Sequence, residues 1–270
     1  MRLQVGRAVR RTVARPLSEL RVRGPRLLGG WEVGPPDFIG VGVQRSGTSW
    51  WHRVLDHHPD VHDRGPFSKE LHFFDDYWRR PFDAADAAAY QCKFARPRGM
   101  RSGEWTPRYL ADPWTPPLIR HAAPGARLLV MLRDPVSRMR SGVTHAAERG
   151  RKIDETVVAT AIARGFYHQQ LTHLLQSFPR EQVLVLQMEK CIADPGSMLE
   201  RTLLFLGLRT DVSLSAALTN EVNTRRGEPV KLSAKFLDAV RAGYEPDVTR
   251  LAGDFSEIDL GLWPHFAELA

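Results

Sequence analysis

Phe38-Ile39-Gly40-Val41-Gly42-Val43-Gln44-Arg45-Ser46-Gly47-Thr48-Ser49-Trp50-Trp51 decides how the chain is read. Its first six residues are apolar or glycine, the pattern of a strand buried on both faces, and such strands belong to parallel sheets covered by helices on either side. A glycine-bearing turn follows, then a helical pattern over 48–57. Apolar runs at 127–132 and 183–188 repeat the strand pattern, with a weaker run at 101–105. Further helical patterns fall at 113–122, 135–147, 156–177, 196–206 and 231–242. The alternation predicts an α/β fold: a single three-layer domain whose central, mostly parallel sheet is flanked by helices.

Composition agrees with a globular chain: of 270 residues, 43% are hydrophobic and 26% charged. The net charge of +7 invites a nucleic-acid reading, but its distribution argues against one. Eight of the 38 basic residues and one of the 31 acidic residues lie within positions 1–30, which leaves 30 of each for the remainder. The excess therefore belongs to a basic N-terminal segment, 1–34, and the domain at 35–270 is balanced. Val5, Val9, Val13 and Leu17 recur every four residues among the arginines, a pattern for a short amphipathic helix able to rest on an anionic membrane surface. No apolar run approaches the roughly 20 residues that cross a bilayer, and no apolar h-region marks a secretory signal. Cys92 and Cys191 have no metal-like spacing. Both are expected reduced, which points to a cytoplasmic setting.

The turn at 42–48 has the glycine spacing of the triphosphatase loop GxxxxGK[ST], but Thr48 stands where the lysine belongs and the cation has moved to Arg45. Phosphate can still be held, by backbone N–H groups and the positive end of the helix that follows. ATP hydrolysis is not the expected chemistry. In open sheets of this kind ligands lie beyond the carboxyl ends of the strands, so the loop after 132 should neighbour this one. That loop reads Leu132-Arg133-Asp134-Pro135-Val136-Ser137-Arg138-Met139-Arg140-Ser141, with Pro135 suited to a first helical turn. Ser137, Arg138, Ser141 and His145 then share one helix face.

Arg45-Ser46-Gly47-Thr48-Ser49 resembles the 5′-phosphosulfate loop of sulfotransferases that use 3′-phosphoadenosine 5′-phosphosulfate (PAPS). Arg133 and Ser141 match the family's 3′-phosphate segment, in which an arginine ending a strand is followed by a serine eight residues on. Ser68-Lys69-Glu70-Leu71-His72-Phe73-Phe74-Asp75 resembles the signature of the glycosaminoglycan-type branch, where the glutamate is the general base. Asn223-Thr224-Arg225-Arg226-Gly227 resembles the C-terminal basic loop that closes over the nucleotide, with Arg225, Arg226 and Gly227 as its matching residues. Gly103-Glu104-Trp105-Thr106-Pro107 and Phe205-Leu206-Gly207-Leu208 are smaller echoes. Two departures stand out: Trp105 takes the place of a lysine before Thr-Pro, and the cysteine pair of extracellular relatives is missing, which counts against a polysaccharide substrate.

The resemblance, spread over about residues 37–230, implies a fold like that of the P-loop triphosphatases. It also implies PAPS as donor, adenosine 3′,5′-bisphosphate as product, no metal, and a small-molecule, lipid or saccharide acceptor. Arg45, Ser46, Gly47, Thr48 and Ser49 would hold the 5′ end, and Glu70 or His72 would take the acceptor's proton. An extended segment would turn Glu70 and His72 to the same side. Tyr77, Trp78, Phe82, Tyr90 and Phe94 are candidates for the acceptor wall. Two rivals remain: a P-loop kinase or ATPase with Asp134 as its magnesium ligand, and a non-catalytic anion-binding module led by the basic tail.

Overall fold

The computed structural model of the chain describes residues 29–65, 69–214, 217–218 and 228–270. Strand β1 (Trp31–Glu32) pairs antiparallel with β3 (Arg96–Pro97) in a small ribbon. The main sheet holds β2 (Phe38–Gly42), β4 (Gly103–Trp105), β5 (Arg127–Leu132) and β6 (Val183–Gln187) in the order β4-β2-β5-β6, every neighbouring pair parallel. All residues of β2 and β6 are buried, and in β5 only Arg127 is exposed. Unbroken apolar runs form these strands because both sheet faces are covered.

Alternate side chains serve opposite layers. Ile39, Val41, Leu128, Val130, Val183 and Val185 enter a core closed by helices α2 (Ala84–Gln91), α3 (Thr115–Ala122), α4 (Pro135–Glu148), α5 (Glu155–Ala163), α6 (Tyr167–Leu175) and α9 (Ala234–Asp254). Phe38, Leu129, Met131, Leu184 and Leu186 enter a second core with α1 (Thr48–Asp56), α7 (Met188–Ala193) and α8 (Pro195–Leu206). The result is the expected three-layer α/β architecture.

One detail of the sheet positions the site. Phe38 stands opposite Gly103 and Gly40 opposite Trp105, so each strand lays an aromatic ring over the other's glycine. A Cβ on Gly40 would sit 2.0 Å from the Trp105 ring, and one on Gly103 would sit 2.4 Å from the Phe38 ring. Trp105 is thereby fully buried beneath the β2–α1 loop, and its indole N–H donates to the Gly42 carbonyl at 3.3 Å.

Several elements differ from the sequence expectation. The helical pattern at 156–177 is two helices, α5 and α6, broken where Gly165 meets Tyr244: a Cβ there would lie 2.5 Å from that ring. The last helix runs to Asp254, well past 242, and carries Pro246 inside it. Its Asp247 carboxylate accepts the His168 and Gln169 N–H groups and so caps α6 from another element. Helix α2 was not expected; Asp83 and Asp86 close it with a reciprocal capping box. Cys92 and Cys191 form no disulfide, and among the described residues no helix is long and apolar enough to cross a membrane. The amphipathic pattern from Val5 to Leu17 lies outside the described residues.

Gly40→Ala must displace the Trp105 ring, so it is expected to cost about 1–3 kcal/mol of stability. A urea titration checks this: the midpoint should fall with the slope unchanged.

Candidate functional site

Gly47 stands at the N-cap of helix α1, with a φ of 81° that only glycine adopts readily, and no side chain among the described residues caps that helix start. Arg45 also has a positive φ, 71°, so left-handed residues flank Ser46. This alternation is how short loops gather N–H groups around an anion. The Ser46 side chain is buried and its hydroxyl has no partner among the described residues. Gly42 is fixed by space, since a Cβ there would come 2.8 Å from Leu110.

The β5–α4 unit fastens to this loop. Arg45 donates from Nε to the Ser141 hydroxyl at 3.1 Å, and Arg133 donates to the Arg45 carbonyl at 3.2 Å. Tyr167 in turn donates to the Arg133 carbonyl at 2.9 Å. The two candidate phosphate sites are thus one continuous surface, within a cleft of about 760 Å³ that Gly47, Thr48, Ser49, Glu70 and His72 also line.

Glu70 and His72 do come together, with His72 Nε2 3.1 Å from the Glu70 carboxylate. They meet because the chain turns at His72, φ 51°, and not because the segment is extended. On its other side His72 Nδ1 lies 2.9 Å from Asp75. Asp75 is 3.4 Å from Arg108, which donates to Asp112 at 2.7 Å. Imidazole is therefore held between two carboxylates, one lining the cleft and one behind it.

Beneath this segment lies Glu104, fully buried, accepting from the Tyr90 hydroxyl at 2.7 Å and the Thr106 hydroxyl at 2.6 Å. Burial pushes its carboxyl up, while those hydroxyls, Arg64 and the Leu71 N–H hold it back. The Phe73 N–H donates to the Tyr109 hydroxyl at 2.9 Å, and the His72 N–H to Thr106 at 3.4 Å. Three successive backbone groups of the Glu70 segment are thus directed at a buried polar cluster.

Sequence reasoning missed several cleft residues. Gln44, Arg108, Arg149, Arg151 and Arg164 all line it, beside the Arg138 that the shared helix face had pointed to. Arg138 is 1% exposed and donates to the Ala161 carbonyl, and Arg164 donates to Gln44. Burial lowers the Arg164 pKa, and the neighbouring Arg138, Arg108 and Arg151 lower it further. Burial also lowers His145, with Arg45 and Arg149 adding to the effect. Lone arginines on helices read as solvated in a sequence, so only the 149–152 basic run offered a signal.

Other expectations need correction. Tyr90 and Phe94 are fully buried core, and none of the five acceptor-wall aromatics reaches the cleft. Of these, Trp78 is the one left largely exposed. Asp134 is no magnesium ligand in waiting: its 1% exposed carboxylate accepts the Ser137 N–H at 2.7 Å and the His265 N–H at 3.1 Å, capping α4 and holding the C-terminal segment. Arg225, Arg226 and Gly227 lie outside the described residues.

A parallel sheet, an uncapped helix start and converging guanidinium groups define an α/β phosphate-loop protein built for an anionic ligand. Residues 35–235 match the sulfotransferase domain, and the chain belongs to that family. It is 32% identical over 189 residues to human heparan sulfate glucosamine 3-O-sulfotransferase 3B1, an alignment covering 64% of this chain and 46% of that protein. The chain thus spans about half the length of the curated relatives it matches. Its fold superposes on a sulfotransferase from Alicyclobacillus acidocaldarius with a TM-score of 0.67 and 28% identity, covering 86% of this chain and 99% of that one. A sulfotransferase domain from the Synechococcus PCC 7002 olefin synthase shares the fold at a TM-score of 0.51 and 17% identity, over 85% of this chain and 97% of that one.

Glu104→Ala would leave two hydroxyls and a backbone N–H without their acceptor, at about 1–3 kcal/mol for each unmade bond. The expected outcome is a lower melting temperature with faster amide exchange at Leu71–Phe73. Glu104→Gln, which keeps an acceptor oxygen, should lose less.

Proposed function

We propose that the cleft transfers a sulfuryl group from PAPS to a hydroxyl of its acceptor, with Glu70 as the base. The observation that carries this reading is the double fastening of Arg45, to Ser141 and Arg133, in a cleft that also holds the Glu70–His72 pair. A donor with phosphates at both ends of a nucleoside needs two anion sites at a fixed separation, and a group transfer needs a proton acceptor beside one of them.

The residues fit such a donor. The Ser46 hydroxyl, buried and without a partner among the described residues, and Arg164, crowded by Arg138, Arg108 and Arg151, are each short of what an anion would supply. Arg45, Ser46, Gly47, Thr48 and Ser49 would hold the 5′ end, and Arg133 with Ser141 the 3′-phosphate. When bound, the donor supplies an activated sulfuryl group for in-line displacement. Arg45 and the loop N–H groups would stabilise charge that builds on the departing phosphate oxygen, an effect worth about 3–4 kcal/mol for one such donor group.

Glu70 would take the acceptor's proton as the new bond forms, a contribution of about 10²–10⁴ in rate. Nδ1 of His72 would donate to Asp75, which leaves Nε2 facing Glu70 as acceptor for the proton it has gained. His72 is thus the orienting partner. The kinase alternative loses its magnesium aspartate to the α4 cap, and a passive anion-binding module gives no reason for a carboxylate and an imidazole at the cleft wall. The relatives' names point to a saccharide hydroxyl as the acceptor to try first.

Calorimetry without magnesium should show adenosine 3′,5′-bisphosphate binding more tightly than ATP, and tighter binding of ATP with Mg²⁺ would reject the donor assignment. Glu70→Gln should keep nucleotide affinity while turnover of PAPS with a saccharide acceptor falls by at least about 100-fold. Unchanged turnover would move the base to His72.

A further inference from the structure

Lys69 belongs to the segment that carries Glu70, yet its ammonium reaches the phosphate loop, donating to the Thr48 hydroxyl at 3.3 Å. Thr48 is the position at which triphosphatase loops place their own lysine. The side chain runs across the face of Trp105, with Nζ 5.9 Å from the ring centroid. Trp105 itself cannot supply charge, being fully buried with its indole N–H turned to the Gly42 carbonyl. The positive charge absent from positions 48 and 105 is therefore present in space, delivered from a third element.

Its surroundings compensate that charge poorly. The Lys69 side chain is 16% exposed, and its ion pair with Glu70 is long, at 3.7 Å. Glu104 on β4 and Asp56 on α1 act from farther away, and Asp56 is already paired with His52 at 2.9 Å. An ammonium has three donors, and a desolvated one is costly unless anions or dipoles surround it.

We propose that Lys69 is a donor-contacting residue, whose ammonium joins Arg45 in holding the sulfonated 5′ end of the nucleotide and so links donor binding to the segment that bears the base. The assignment rests on the reading of the cleft as a PAPS site. Burial lowers the lysine to about 8, with Glu70 and Glu104 opposing the shift, so its charge is lost within an accessible pH range. The protonated form binds anions. Affinity should therefore be flat below about pH 8 and fall as pH rises through that value.

The test is calorimetry of wild type, Lys69→Met and Lys69→Arg with PAPS and with adenosine 3′,5′-bisphosphate between pH 6.5 and 9.5. In Lys69→Met, PAPS affinity at neutral pH should drop about 10- to 100-fold, the scale of a hydrogen bond to a charged group. The bisphosphate, lacking the sulfonate, should lose less; Lys69→Arg should recover most of the affinity without the fall above pH 8. Should Lys69→Met fail to fold, acetylation of the wild type read by mass spectrometry replaces it, with PAPS expected to protect Lys69. A variant within twofold of wild type with the same pH profile, or no protection, overturns the Lys69 assignment alone. Wild type that binds neither nucleotide overturns the PAPS reading beneath it.

Discussion

Arg45 is held at both ends, its guanidinium donating to Ser141 and its carbonyl accepting from Arg133, and the site depends on this. The two contacts join the turn after β2 to the strand end and helix after β5, elements 88 and 96 residues apart in sequence. Neighbouring parallel strands bring their carboxyl ends together, but pairing alone leaves the loops beyond them free to diverge. The left-handed backbone at Arg45 directs the residue so that both ends can be used. Tyr167, reaching from α6 to the Arg133 carbonyl, extends the same restraint to a third element. A ligand spanning both sites would meet a surface whose spacing is already set, which lowers the ordering cost of binding.

Much of this was legible from the sequence, for physical reasons that vary by element. Strands β2, β5 and β6 are continuous apolar runs because both faces are covered, and such runs stand out. The phosphate loop was visible because its glycines are demanded locally, Gly47 by its φ and Gly42 by the Leu110 side chain. Helix α2 escaped notice since its alanine-rich run has little amphipathic contrast, and its start is set by an Asp83–Asp86 box. The break between α5 and α6 was invisible because it is imposed by Tyr244, which lies 82 residues downstream of the Ile162 carbonyl it donates to. No local pattern encodes that contact.

The site was read unevenly for a related reason. Glu70 and His72 stood in a recognisable segment, but the turn that joins them is set by the Glu104, Thr106 and Tyr109 cluster below. Arg138 and Arg164 sit on or just after helices, where a charged residue ordinarily faces solvent. Here both turn inward, toward a carbonyl and an amide oxygen. Tyr90 and Phe94 were drawn into an acceptor wall by chemistry alone, whereas Tyr90 is the donor that helps hold Glu104. Burial of an aromatic ring and use of its hydroxyl are compatible, and the sequence does not separate them.

Charge is distributed unequally across the cleft. Arg133, Arg138 and Arg164 donate to carbonyl and amide oxygens, partners that satisfy their N–H groups while leaving the positive charge in place. Arg108, which lines the same cleft as Glu70, faces Asp75 and Asp112, so its charge is locally matched. With that charge matched, the positive excess lies on the loop side, while the Glu70 side has a carboxylate backed by an imidazole. Lys69, lying between Thr48 and Glu70, stands at the boundary of the two fields and is the residue through which each senses the other.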